Sequence, residues 1–249
     1  MKIENNKWLF QVRPNPQAHL RLFCLPYAGG GASIYREWSR FLPPDIDICP
    51  IQLPGRENRL IEPSINQIPL LCETLGPILL PFLDRPYAFF GHSMGSLVSF
   101  ELTRWLRRAQ QPLPRYLFVS GGRAPQVWHK EDPIYNLPEP DFLSAIQKLG
   151  GTPEAVLREP ELLQLILPIL RADFELCETY SYQEEEPLAV PIAALGGLSD
   201  PEVSQSQLDA WRTQTNRRFT LHMFAGNHFF IQPVRQDVMY VLNQALARC

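Results

Sequence analysis

The sequence is short of cysteine, of long apolar runs and of any excess of one charge, and each shortage removes a class of function. Its five cysteines, Cys24, Cys49, Cys72, Cys177 and Cys249, are odd in number and scattered, with no CxxC pair. Reduced thiols are therefore expected, not a disulfide framework or a thiol-rich zinc or redox centre. Cys24 and Cys49 fall inside apolar runs, where a thiol packs as a small hydrophobe. The most apolar stretch, Leu162 to Leu170, is too short to span a bilayer and is followed at once by Arg171, Asp173 and Glu175, so no membrane partner is expected. Met1 to Phe10 carry Lys2, Glu4 and Lys7 and lack the apolar centre of a secretory signal, which points to a cytoplasmic protein. Lys and Arg number 23 against 26 Asp and Glu, a net charge of -3, so there is no basic footprint for nucleic acid. Neither a metal-ligand cluster nor a GxGxxG dinucleotide fingerprint is present, so no metal and no resident cofactor are expected. No segment repeats at a fixed period.

What remains is a chain of 249 residues, 45% hydrophobic, which is enough for one large α/β domain around a single substantial core. Short β-rich apolar runs alternate with longer helical patterns, the arrangement of a mainly parallel sheet flanked by helices. The predicted strands are Leu20-Leu25, Ile46-Gln52, Tyr87-Phe90, Tyr116-Ser120, Pro191-Leu195 and Phe219-Phe224. The predicted helices are Tyr35-Phe41, Ile68-Leu83, Ser96-Ala109, Ser204-Thr215 and Arg235-Ala247. One interval breaks the alternation: about seventy residues separate the fourth and fifth strands, far more than the roughly 2–6 of an ordinary connection. The chain therefore divides into a core over 1–120, a helical lid or cap over 121–188 and a second part of the core over 189–249. Within the insertion, helical patterns cover Pro140-Leu149, Thr152-Leu157 and Pro160-Tyr182, the last with a kink expected at Pro168. Their apolar residues cover nearly every face, which suits a cap lining an acyl pocket, or else a purely structural subdomain.

The chemistry is concentrated in one motif and its partners. Gly91-His92-Ser93-Met94-Gly95 joins an apolar strand to a helix-like segment, the context of a nucleophile elbow, in which a sharp turn exposes the serine at the carboxyl end of a sheet. A serine hydroxyl is a weak nucleophile until a base takes its proton. His19 precedes the first strand, His92 lies inside the elbow, His129 opens the insertion and His222 alternates with Leu221 and Met223 within a strand. His228 follows the last strand in Ala225-Gly226-Asn227-His228-Phe229-Phe230, where hydrolases of this order place their base. The third member should be a carboxylate after the penultimate strand, and Asp200 ends that strand's glycine-bearing turn. Asp200 could instead only cap the helix after Pro201. The rival, Asp173, lies within the inserted helix and is expected to pair with Arg171 or face solvent. Ser93, Asp200 and His228 follow the chain order of the α/β-hydrolase fold. Amides for a tetrahedral oxyanion are expected from Met94, next after the nucleophile, and from Ala28 in the loop Pro26-Tyr27-Ala28-Gly29-Gly30-Gly31.

Taken together, Pro26-Tyr27-Ala28-Gly29-Gly30, Gln52-Leu53-Pro54-Gly55-Arg56-Glu57-x-Arg59, the elbow, Arg171-Ala172-Asp173, Gly196-Gly197-x-x-Asp200-Pro201 and Gly226-x-His228-Phe229-Phe230 resemble the stand-alone type II thioesterases of nonribosomal peptide and polyketide synthesis over nearly the whole chain. The resemblance implies hydrolysis of acyl groups from the phosphopantetheine arm of acyl- or peptidyl-carrier proteins, with small acyl thioesters as further substrates. The cofactor would arrive on the partner. Tyr27 stands where histidine is frequent in that family, so the polarity of the entrance differs; Tyr27 and Phe229 are placed as substrate contacts. Arg56, Glu57 and Arg59 read either as a structural ion network below the site, the favoured alternative, or as supports of a partner-facing loop. A carboxylesterase or lipase acting on free esters is the competing activity, because fold and triad do not select the substrate. A free-standing monomer is expected.

Overall fold

The computed structural model describes residues 6–10, 15–128, 132–151 and 158–247. Six strands, β1 (Leu20–Leu25), β2 (Ile46–Pro50), β3 (Tyr87–His92), β4 (Tyr116–Ser120), β5 (Ile192–Gly197) and β6 (Phe219–Phe224), form one sheet in the order β2-β1-β3-β4-β5-β6. Every pairing among them is parallel. The helices are α1 (Ile68–Leu79), α2 (Met94–Arg108), α3 (Glu139–Leu149), α4 (Pro160–Glu178), α5 (Gln205–Asp209) and α6 (Arg235–Leu246). This is the mainly parallel α/β architecture that the alternation of strand and helix patterns predicts.

The strands are buried on both faces, so alternate side chains serve two cores. On β1, Phe23 and Leu25 join a cluster with α1 and α2, whereas Leu20, Leu22 and Cys24 join one with α6 and the segment Ala32–Arg40. On β3, Phe89 belongs to the first cluster and Ala88 and Phe90 to the second. The 121–188 interval contributes a separate small cluster, in which Phe142 and Ile146 of α3 pack on Leu167 and Leu170 of α4. Each fully buried large apolar side chain contributes roughly 1.5–3 kcal/mol, so the sheet and its two faces account for most of the driving force. Beside this apolar packing, Arg21 of β1 is buried against Asp47, its register partner on β2, at 3.3 Å and reaches Asp84 at 2.8 Å.

Several element ends differ from expectation for identifiable reasons. The first predicted helix is a 3-10 segment, Ala32–Arg40. α1 stops at Leu79 and tightens into a 3-10 turn over Leu80–Phe82, because Pro81 has no N–H for a continuing α ladder. The pattern over 204–215 splits into the short α5, closed at its start by a capping box between Ser204 and Gln207, and a 3-10 turn over Ala210–Gln214. α4 runs through Pro168 and ends at Glu178, short of Tyr182. The helix expected over Thr152-Leu157 lies outside the described residues. Among the described residues, no helix is long and apolar enough to cross a membrane.

In a parallel sheet all carboxyl ends face one way, and here the register aligns them. Leu25 pairs with Gly91, His92 with Ser120, and Gly197 with Phe224. The loops after β1, β3, β5 and β6 therefore emerge along one edge, which is where ligands bind in open α/β sheets.

Candidate active site

Ser93 occupies the junction of β3 and α2 with φ 52° and ψ −117°, outside the regions an L-residue prefers. Such a conformation costs on the order of 1–3 kcal/mol and persists only where its surroundings dictate it. They do so here: the Ser93 amide donates to the Ser120 carbonyl at 2.7 Å, and the Ser93 carbonyl accepts from the Ser96 amide at 2.9 Å. The flanking glycines are a steric necessity. A Cβ on Gly91 would run into the Gly95 carbonyl, and one on Gly95 into the carbonyls of Leu25 and Pro26. The turn is thus packed backbone against backbone, and it leaves the Ser93 side chain partly exposed at the edge of the sheet.

Asp200 and His228 arrive from the loops after β5 and β6. Their side chains meet at 2.8 Å, Asp200 Oδ2 to His228 Nδ1, with the carboxylate wholly buried. A carboxylate can only accept, so Nδ1 carries the proton and Nε2 is left with its lone pair free. The other carboxylate oxygen, Oδ1, accepts from the amides of Glu202 at 2.8 Å and Val203 at 3.2 Å. Asp200 therefore closes the turn before α5 and holds the imidazole, while the cap of that helix is Ser204. His228 in turn sits edge-on to Phe229, with ring centroids 5.2 Å apart.

Tyr27, Ala28, Ser93, Met94, His228 and Phe229 all line one cavity of about 660 Å³. The inserted segment supplies much of the remaining lining, with apolar Ile134, Leu137, Ile146, Leu170 and Phe174 beside charged Asp141, Lys148 and Glu178. Tyr27 and Phe229 pack edge to face at 5.1 Å at the mouth, and burial pushes the Tyr27 phenol up from its ordinary range. Met94 is buried at the first turn of α2, where unpaired amides and the helix dipole favour negative charge. Ala28, in the loop after β1, lines the same cavity. The seven residues singled out in the sequence are accordingly brought to one edge of the sheet. Among the described residues, no group of three or more His, Cys, Asp or Glu is placed to hold a metal ion.

The other histidines lie elsewhere. His19 pairs with Asp45 at 3.1 Å on the surface, and His222 lines a second cavity, of about 760 Å³, between α6 and β4, β5 and β6. His129 is outside the described residues. His92 is fully buried beneath the site, with Nδ1 2.9 Å from Ser120 Oγ and its ring 5.4 Å from that of His228. Burial, and then the nearby His228, hold its pKa well below the usual histidine range. Because its folded value lies below the unfolded one near ~6.5, His92 favours folding fully above that pH, and this contribution fades as the pH falls below it. Unfolding free energy should therefore drop by up to about 1.4 kcal/mol per pH unit below pH ~6.5. In His92→Gln this component should be missing. Urea titrations of both proteins at several acidic pH values measure it, and parallel curves would refute it.

Two expectations are corrected here. Asp173 neither pairs with Arg171 nor faces solvent: it is 1% exposed and forms a two-pronged ion pair with Arg56, at 2.7 and 2.8 Å. Arg171 instead donates to the Tyr135 carbonyl and lies over the Phe142 ring at 4.3 Å. Nor do Arg56, Glu57 and Arg59 make one shared network. Arg56 serves Asp173, Glu57 accepts from the Ser33 hydroxyl at 2.6 Å, and Arg59 bonds Glu62 at 2.6 Å while stacking on Trp8. Sequence reasoning met Asp173 as a rival carboxylate and within the Arg171-Ala172-Asp173 motif but gave it no link to Arg56, since nothing local announces a partner so far along the chain.

The family model for the thioesterase domain matches residues 20–243. Gramicidin S biosynthesis protein GrsT of Aneurinibacillus migulanus is 44% identical over 234 residues, which cover 94% of this chain and 91% of that protein. A protein named linear gramicidin dehydrogenase LgrE, of Brevibacillus parabrevis, is 43% identical over 247 residues, covering 98% and 94%. Among solved structures, the type II thioesterase BorB from the borrelidin biosynthetic cluster superposes with a TM-score of 0.88 at 35% identity, covering 96% of this chain and 97% of that one. A sheet edge that gathers a strained serine and an aspartate-held histidine thus coincides with likeness over nearly the full length, and the chain belongs to the thioesterase domain family.

Proposed function

We propose that this protein is an editing thioesterase of nonribosomal peptide or polyketide assembly, releasing acyl groups from the phosphopantetheine arm of acyl- or peptidyl-carrier proteins. The observation that carries the reading is the cavity shared by Ser93 and His228, with His228 held by Asp200 so that its basic nitrogen is free. The names of the relatives, one in gramicidin S biosynthesis and one a type II thioesterase, support the class of substrate.

In the reaction, Ser93 Oγ attacks the thioester carbonyl carbon and His228 Nε2 takes the hydroxyl proton. The carbonyl π electrons move to oxygen, and the amides of Ala28 and Met94 stabilise that oxyanion. Asp200 keeps the imidazole in its tautomer and balances the imidazolium. Collapse breaks the carbon–sulfur bond, and the thiolate leaves with the proton from His228. Water then repeats the sequence against the acyl-serine, giving the free acid and restoring Ser93. A thiol with a pKa near ~8.5 departs more readily than an alkoxide, so plain esters are chemically accessible but harder. Tyr27 and Phe229 border the entry to the carbonyl, and the 121–188 insertion acts as the cap that lines the acyl chamber. The enzyme works as a cytoplasmic monomer with no metal or resident cofactor of its own; the free, buried thiols of Cys24, Cys49 and Cys72 suit a reducing compartment.

The name of the Brevibacillus relative suggests hydride transfer, which needs a seat for a dinucleotide. The glycine loop here is poorly suited to that. Leu170 crowds Gly29 and the Glu57 carboxylate lies against Gly31, so phosphate oxygens would meet a methyl group and a like charge.

Rates on an acyl-carrier protein, the matching acyl-N-acetylcysteamine and an ethyl ester of the same acid decide the substrate class. The expected order of kcat/KM is carrier thioester, then small thioester, then ester. An ester preferred over both thioesters would favour a carboxylesterase.

A further inference from the structure

The oxyanion loop is held by a buried ion pair that the chemistry above does not use. We infer that Asp173 and Arg56 are positioning residues that aim the Ala28 amide, coupling α4 of the inserted segment to the catalytic edge. This rests on the reading of Ala28 as an oxyanion donor.

The geometry is specific to the two peptide planes that flank Ala28. The Tyr27 carbonyl, in the same plane as the Ala28 N–H, accepts from the Gly30 amide at 2.9 Å. In a trans peptide the N–H points opposite to its carbonyl, so the Ala28 N–H is turned outward from that turn. The next plane carries the Gly29 N–H, and this donates to Asp173 Oδ2 at 2.7 Å. With both planes held, the φ and ψ of Ala28 have no freedom left to let its amide swing.

Asp173 is itself locked. Arg56 Nη1 and Nη2 meet its two oxygens at 2.7 and 2.8 Å, and Arg56 Nη1 also donates to the Gly30 carbonyl at 3.1 Å. Arg56, a residue 3% exposed, thus grips the Gly30 carbonyl while its carboxylate partner grips the Gly29 amide. Leu170, three residues before Asp173 on the same face of α4, presses on the loop as well: a Cβ on Gly29 would lie 2.6 Å from Leu170 Cδ2. Gly29 has φ +77°, a backbone angle that favours glycine, and a Cβ there would also have to displace the Leu170 methyl. Amide donors act on an oxyanion only when placed within a few tenths of an ångström, so a loop free to rock loses rate before it loses substrate.

The decisive variant is Arg56→Met/Asp173→Leu, which removes both charges, strands neither, and deprives the Gly29 amide of its acceptor. Expected is a folded enzyme with kcat on the carrier thioester lowered about 10- to 100-fold and KM changed less than about threefold, the scale of partial oxyanion loss. Affinity for an acyl trifluoromethyl ketone, which forms an oxyanion on Ser93, should fall in parallel with kcat/KM. A merely structural ion pair would move neither ratio: Arg21→Met, which breaks a buried pair away from the site, should lower stability and leave kcat alone. Should the double variant not fold, Arg56→Gln/Asp173→Ala serves, because glutamine still offers an N–H donor toward the Gly30 carbonyl while alanine removes the oxygen that accepts from the Gly29 amide. About a tenfold fall in kcat is expected there. Wild-type kcat and ketone affinity in a folded variant of either kind would overturn the inference. If Ser93→Ala is inactive while these variants are fully active, only the positioning role fails; if Ser93→Ala is itself active, the proposed function fails first.

Discussion

Ser93→Ala should cut turnover of an acyl-carrier thioester by about 10⁴- to 10⁶-fold, the scale seen when a triad nucleophile is removed. The loss is large because the hydroxyl is the only group that divides thioester cleavage into two easier steps; the oxyanion donors and the binding cavity alone leave residual catalysis. Folding should be little changed, since alanine keeps the Cβ that makes φ 52° unfavourable. Ser93→Gly provides the complementary measurement. It should be equally inactive yet resist urea better than Ser93→Ala, by about 1 kcal/mol, because glycine accepts a positive φ without strain. Single-turnover assays and urea titrations of the three proteins test both halves. A Ser93→Ala enzyme within tenfold of wild type would remove the nucleophile assignment altogether.

The largest stability effect is expected at a residue with no side chain. A methyl group at Gly95 would enter the space of the Leu25 and Pro26 carbonyls, at the end of β1 where the oxyanion loop begins. Neither obstacle is the tip of a flexible side chain. Relief requires α2 to move off the sheet or β1 to shift, and β1 is bonded on both sides by β2 and β3. Gly95→Ala should therefore lose at least about 3 kcal/mol of unfolding free energy, beyond the ordinary overpacking cost of about 1–3 kcal/mol, despite alanine's better helix propensity. The accompanying activity loss should come from displacement of Ser93 and the loop together. Equilibrium unfolding in urea is the direct measure, and a loss below about 1 kcal/mol would mean that the turn is far softer than its contacts imply.

The cavity wall and the triad edge have different origins in the chain, which bears on how substrate range evolves. The proposed reacting groups stand on loops anchored by the sheet, whereas much of the cavity they share is built by α3 and α4 from the inserted segment. Fold and site are thus set by the core, and chamber shape by a part that can vary with little effect on the sheet. The Asp173–Arg56 pair ties the two together beside the loop after β1, while Leu176 and Tyr180 anchor the insertion in the main core.

Sequence alone determined the features whose signal is local. Short β-rich apolar runs predicted all six strands to within about two residues, because buried parallel strands carry apolar residues on both faces over only a few positions. The elbow was legible for the same reason: Gly91, Ser93 and Gly95 must be contiguous for the turn to form at all. Asp200 and His228 were reached through their places after the last two strands, and their contact at 2.8 Å follows once those strands are neighbours in register. Helix ends at Leu79 and Asp209 were less legible, since α and 3-10 turns share nearly the same residue pattern. Tertiary structure alone decided the partner of Asp173. An ion pair leaves no periodicity, and Arg56 lies 117 residues away, so only the path of the folded chain could show which of several nearby arginines turns inward to meet it.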